Sequence, residues 1–160
     1  SEVTIENPDI VNTDVSLWGD HQLYIDKSLV NSSSYIESSD GITTMRGTNA
    51  GDVIVANADN YEDISAVSGD DVVYGNDGVE RVATGDGSDI VFGGGGNDTI
   101  LNTGHDGTTD YAVYSGKYSE YEVTIESNSN GAEFDNVFVK DTVDNRDGTD
   151  RVTAHKYSTV

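Results

Sequence analysis

Between residues 57 and 101 the chain repeats itself every nine residues, and few folds accommodate such a period. Five consecutive units run 57–65, 66–74, 75–83, 84–92 and 93–101. Their sixth position is always acidic: Glu62, Asp71, Glu80, Asp89 and Asp98. Their eighth is always β-branched and apolar: Ile64, Val73, Val82, Val91 and Ile100. The fourth is glycine in all but the first, at Gly69, Gly78, Gly87 and Gly96. Residues 47–55 fit the same template if Ala56 is a one-residue insertion, and residues 105–113 fit it loosely if 102–104 are inserted. Farther on, Asp147-Gly148-Thr149-Asp150-Arg151-Val152 echoes its ending.

Nine residues with that pattern make half a coil. Glycine-rich positions let the chain turn sharply through the first six residues. The last three form a short strand, whose single inward Val or Ile packs on its counterparts above and below. Two units complete one coil, so acids about 18 residues apart stack on the same side. One edge is expected to carry Glu62, Glu80 and Asp98, and the other Asp52, Asp71, Asp89 and Asp110.

Such stacking needs a counter-charge. Two carboxylates ~4 Å apart repel by about 4 kcal/mol at an effective dielectric of roughly 20. The whole chain carries a net charge of −22, and residues 47–110 hold 13 acids against a single base, Arg81. A hard cation is therefore expected to supply the missing charge. Carboxylates and turn carbonyls are all oxygen ligands, which favours calcium over zinc or copper, while magnesium demands a tighter octahedron. Disorder is the other reading of so acidic a chain, but a regular apolar column argues for a core.

The repeat resembles the RTX (repeats-in-toxin) family, whose hallmark is Gly-Gly-x-Gly-x-Asp-x-apolar-x. Gly93 to Leu101 matches at every position, and Thr84 to Phe92 lacks only the first glycine. The resemblance implies an all-β, calcium-loaded, right-handed parallel β-roll with several ions. It implies acid ligands at Asp52, Asp71, Glu80, Asp89, Asp98 and Asp110, assisted by the turn residues Gly69, Gly75, Asp77, Gly87, Gly93, Gly95 and Gly96. It also implies secretion by a type I system as an unfolded chain that folds in extracellular calcium, within a bacterial adhesin or surface protein. An accessory module of a secreted enzyme, binding polysaccharide or another substrate, is the alternative. Because glutamate's extra methylene displaces its carboxylate within a tight turn, the all-aspartate edge is expected to hold the stronger ion ladder.

The flanks read as β-rich caps, residues 1–46 before the roll of 47–110 and residues 111–160 after it. Glu2–Glu6, Val15–Trp18 and Gln22–Asp26 read as strands. Tyr121–Glu126 and Asn136–Asp141 read as a hairpin around the turn Asn128–Gly131. Tyr111, Tyr114, Tyr118 and Tyr121 are expected to cover the open end of the roll, where bare strand edges invite aggregation.

Other chemistries find little support. So negative a chain repels nucleic-acid phosphates, and no apolar run approaches the ~18 residues of a membrane span. There is no cysteine, and His21, His105 and His155 are scattered. No catalytic motif is present, and pairs such as Asp70/Asp71 read as ligand or surface rather than acid–base machinery. A segment starting at Asp144 imitates a calcium loop, but its twelfth residue is His155 rather than glutamate. The expectation is a monomeric, non-enzymatic module whose partners are calcium ions and, outside the cell, a polysaccharide or cell-surface ligand.

Overall fold

One inward apolar side chain per nine residues allows only very short strands, which need neighbours on both sides to complete their hydrogen bonds. The structure, a computed structural model, describes residues 35–38, 43–57, 62–104, 107–127 and 134–155. They form an all-β solenoid of about four turns with parallel stacked coils, the β-roll architecture expected from the period. The strands proposed for residues 2–26, the turn at 128–131, and the histidines at 21 and 105 lie outside the described residues.

Two sheets face each other. One stacks β1 (Tyr35–Glu37), β3 (Val53–Val55), β5 (Val72–Tyr74), β7 (Ile90–Phe92) and β9 (Tyr111–Val113), all parallel. The other stacks β2 (Thr44–Arg46), β4 (Glu62–Ser65), β6 (Glu80–Ala83) and β8 (Thr99–Leu101). It continues in parallel through β12 (Thr149–His155), then antiparallel through β11 (Phe134–Asp141) and β10 (Tyr121–Glu126). The coils thus run past residues 47–110 at both ends, taking in β1 and β2 before and β9 and β12 after.

The eighth-position residues meet in one core. Ile36, Ile54, Val73, Val91 and Ala112 align across the first sheet, and Met45, Ile64, Val82, Ile100 and Val152 across the second. Their middle members and Met45 are buried, and the other end members, Ile36, Ala112 and Val152, are partly so. Burying each such side chain contributes about 1.5–3 kcal/mol. On the outer face of the first sheet, Tyr74 and Phe92 of successive coils stack with ring centres 4.9 Å apart.

Two insertions sit elsewhere than expected. Ala56 is not the extra residue: its N–H donates to the Tyr74 carbonyl as that of Gly75 donates to Phe92, so Ala56 holds the first place of a turn. The extra residue falls between Ala56 and Glu62, because Glu62 pairs with Glu80 at the regular spacing of 18. Nor are 102–104 a block of insertion, since Gly104 stacks on Gly85, 19 residues earlier. One extra residue precedes Gly104, and two lie between it and Asp110, which bonds Asp89 21 residues back. A close stacking contact fixes a glycine's place, which counting along the sequence does not show.

The expected hairpin forms, with Tyr121 opposite Asp141 and Glu126 opposite Asn136. A single turn of 3₁₀ helix, Tyr118–Glu120, leads into it. Arg146 clamps its base, pairing both oxygens of Asp141 at 2.6 and 2.7 Å and Glu120 at 2.8 Å, with its guanidinium 5.2 Å from the Tyr121 ring centre. Of the four tyrosines, Tyr114 and Tyr121 pack together here at 5.3 Å. Tyr111 and Tyr118 do not cover the end; they are 58% and 85% exposed.

Close stacking makes some glycines irreplaceable. Gly96 has φ +98°, and a Cβ there would overlap the Gly78 carbonyl oxygen of the coil before. Gly107 has φ +80° but open space around it. We expect Gly107→Ala to cost about 1 kcal/mol, the backbone strain alone, and Gly96→Ala at least about 3 kcal/mol. Urea midpoints of the two variants check this; equal losses would remove stacking as the cause.

Candidate metal centre

Every unit delivers its sixth-position acid from the last turn residue, or the first strand residue, toward the inside of the coil stack. Asp52, Glu62, Asp71, Glu80, Asp89 and Asp98 are all 2% exposed or less. Burial of that degree is rare for carboxylates unless they are paired.

A repeating hydrogen bond holds them. The Asp52 N–H donates to Asp71 Oδ1 at 2.7 Å, that of Asp71 to Asp89 Oδ1 at 2.9 Å, and that of Asp89 to Asp110 Oδ1 at 3.1 Å. On the opposite edge the Glu80 N–H donates to Asp98 Oδ1 at 2.9 Å. Glu62 sits in register with Glu80 at the head of that edge. The two edges therefore contain the acids that the 18-residue spacing assigned to them.

One edge is longer than expected. The Asp98 N–H donates to Asp150 Oδ1 at 2.8 Å, so Asp150, itself 1% exposed, is the next acid of the column. Sequence reading missed it as a site residue, although the echo Gly148-x-Asp150-x-Val152 was the signal. Gly148 stacks on Gly96 as Gly96 stacks on Gly78.

One oxygen of each aspartate and of Glu80 accepts from the backbone, and one of Glu62 accepts from the Asn76 side-chain amide at 3.3 Å, but the second has no uniform partner. In the first coil Asp52 is satisfied, its Oδ2 accepting from the Thr48 N–H at 2.6 Å and from the Thr48 hydroxyl at 3.0 Å. Elsewhere Glu62 Oε1, Asp71 Oδ2, Glu80 Oε1 and Asp98 Oδ2 are buried without a hydrogen-bond partner. These orphans occur on both edges. Arg81, the only base of 47–110, points outward to an exposed ion pair with Asp63 at 2.9 Å.

Burial and crowding disturb the titration of these groups. Burial, assisted by the charges of Asp89 and Asp52 and opposed by the Asp52 N–H bond, pushes Asp71 up to about 8. Burial and then the Asp98 charge push Glu80 up to about 8. Burial likewise raises Asp98 to about 6 and Asp150 to about 7, and it raises Glu62. An ionised, uncompensated buried carboxylate costs several kcal/mol. That equals or exceeds what the apolar residue of the same unit contributes, so the ionised column needs a counter-charge or a proton.

The turn residues frame this column. Gly69, Gly78 and Gly96 present carbonyls to the next coil so closely that Gly87, Gly96 and Gly148 can carry no Cβ. Gly75 and Gly93 lie against Glu80 Oε2 and Asp98 Oδ2, and Gly95 against Asp77 and the Arg146 carbonyl. Asp77 is exposed, apart from the buried columns. Among the described residues no three His, Cys, Asp or Glu side chains converge as a metal-binding group. The fit to a cation therefore rests on carboxylates stacked in successive coils, with the Ala66 and Gly93 carbonyls close to Asp52 and Glu80. That all-oxygen donor set suits calcium, which takes six to eight such ligands in flexible geometry. No family model matches the chain, and neither a curated protein nor a solved structure matches it.

The raised groups fix the sign of a pH effect. Unfolded Asp and Glu titrate near about 4, whereas the folded, metal-free column keeps its protons to between about 6 and about 8. The folded form therefore binds more protons in this window, and stability falls as pH rises from about 4 through about 8. We expect the chelator-treated protein to keep more β signal in circular dichroism at pH 5 than at pH 8, with Asp71→Asn reducing the difference. More β signal at pH 8 than at pH 5 would contradict this sign.

Proposed function

We propose that the chain is a calcium-dependent structural module of a secreted, RTX-like bacterial adhesin or surface protein. The observation that supports this best is the set of buried carboxylate oxygens left without a partner in successive coils, at Glu62, Asp71, Glu80 and Asp98. Bound between coils, calcium supplies two positive charges per ion and neutralises carboxylates that otherwise repel. The chain's own residues do the rest. Asp71, Glu80, Asp89 and Asp98 offer oxygens inside the stack, the N–H groups of Asp52, Asp71 and Glu80 orient the three aspartates and that of Asn76 orients Glu80, and the Ile/Val columns exclude water from beside them.

Binding and folding are then a single event, since the column exists only when the coils are stacked. Metal-free at neutral pH, the chain is held open by its own charge, a state compatible with passage through an exporter. In millimolar extracellular calcium it closes into a rigid rod. RTX-type export and the adhesin setting rest on the resemblance of Gly93–Leu101 to that family's repeat. The exposed rings of Tyr111 and Tyr118 favour a second reading, an accessory module of a secreted enzyme that stacks on sugar rings. Glycan-array binding abolished by Tyr118→Ala would support it.

Circular dichroism at pH 7.5 tests the principal reading. Calcium should build the β signal and excess chelator should abolish it, whereas a spectrum indifferent to both would overturn the proposal. Asp71→Asn should shift the calcium midpoint upward by roughly tenfold, equivalent to about 1.4 kcal/mol.

A further inference from the structure

The chain leaves the roll after β9 and re-enters it at residue 145. Residues 145–153 then behave as one more unit of the repeat, although 43 residues separate them from the unit ending at Leu101. Val152 joins the core column in register with Ile100, and Arg151 pairs with Thr99. Gly148, at φ +72°, stacks on the Gly96 carbonyl. The Thr149 N–H donates to Asn97 Oδ1 at 2.8 Å and the Arg151 N–H to the Asp98 carbonyl at 2.9 Å. Asp150 receives the Asp98 N–H, as Asp98 receives that of Glu80 from the coil before it.

Three acids, Asp98, Asp147 and Asp150, crowd this junction. Asp98 Oδ2 is buried and without a hydrogen-bond partner. The buried Tyr114 hydroxyl makes no hydrogen bond of good geometry and faces Asp150, Asp98 and Asp147. Asp147 is 7% exposed and held by the Ser115 hydroxyl at 2.8 Å and by the Tyr121 hydroxyl. The nearest base, Arg146, is committed to Asp141 and Glu120 and stands 3.8 Å from Asp147.

Resting on the calcium reading above, we propose that Asp98 and Asp150 form a terminal divalent-cation site between the last contiguous unit and this detached one, and that loading it fastens the β10–β11 hairpin to the roll. Asp98 supplies the unpartnered Oδ2 and Asp150 the facing carboxylate. Since β12 pairs with β8 on one side and β11 on the other, any ligand bridging Asp98 and Asp150 also secures the hairpin. The detached unit thus makes the C-terminal region answer to calcium, despite having no repeat of its own in tandem.

Hydrogen–deuterium exchange of the full chain during a titration with calcium chloride, paired with calorimetric stoichiometry, tests this. In the wild type, amides of β11 and β12 should gain protection together with those of β5–β8. Protection of β11 and β12 that is indifferent to calcium, while β5–β8 respond, would overturn the terminal site and leave the general reading standing. No response anywhere would overturn both. Asp150→Asn keeps an oxygen for the Asp98 N–H while removing the charge. It should reduce the stoichiometry by one ion and move the β11–β12 midpoint at least tenfold higher, leaving β5 and β7 within about twofold. Unchanged stoichiometry and midpoint in this variant would also overturn the proposal.

Discussion

Everything in this molecule depends on one bond repeated along the coil stack, from the backbone N–H of Asp52, Asp71, Glu80, Asp89 and Asp98 to the carboxylate of the acid one coil later. It makes burial of the acids possible and sets their spacing. It also uses only one of the two carboxylate oxygens. The bond therefore creates the need that a cation would meet, at the place where the coils touch. Apolar packing alone does not decide the outcome, because each unit buries one Val or Ile beside one carboxylate, and the two effects are of similar size and opposite sign.

The same arrangement explains why the turns are so restricted. The carbonyls of Gly69, Gly78 and Gly96 press on Gly87, Gly96 and Gly148, so the coils sit close enough for the acid ladder to form. Val67 shows the strain this geometry imposes: it takes φ +88° at a place where Gly85 and Gly94 take +97° and +95°. A β-branched residue rarely adopts that conformation, and it persists here because the coils on both sides hold it.

Much of this was legible in the sequence, because the repeat couples two columns that no other fold requires together. The inward Ile64–Ile100 series, the assignment of acids to two edges and the 121–141 hairpin all follow from spacing and alternation. The location of the insertions did not, since Ala56 and Gly104 are placed by contacts across coils rather than by their neighbours in sequence. Asp150 was hidden for a related reason. A period search advances in steps of nine, and the 43 residues between Leu101 and Asn145 break the count even though the coil resumes in space. Nor did residue type show that Tyr118 would stay in solvent while Tyr114 went inside, a matter of where the Arg146 clamp draws the chain.

The ladder also has a direction. In each of its five acid-to-acid bonds the amide waits for a carboxylate that comes later in the chain, never for one that came before. A coil at the growing end of a partly assembled stack consequently has an unmet amide until its successor arrives, and the final successor is contributed by the detached unit around Asp150. The stack is in this sense a one-way template, complete only when its most distant piece is in place. Fragments that stop short of Asp150 expose an unfinished rung rather than a shorter version of the same rod.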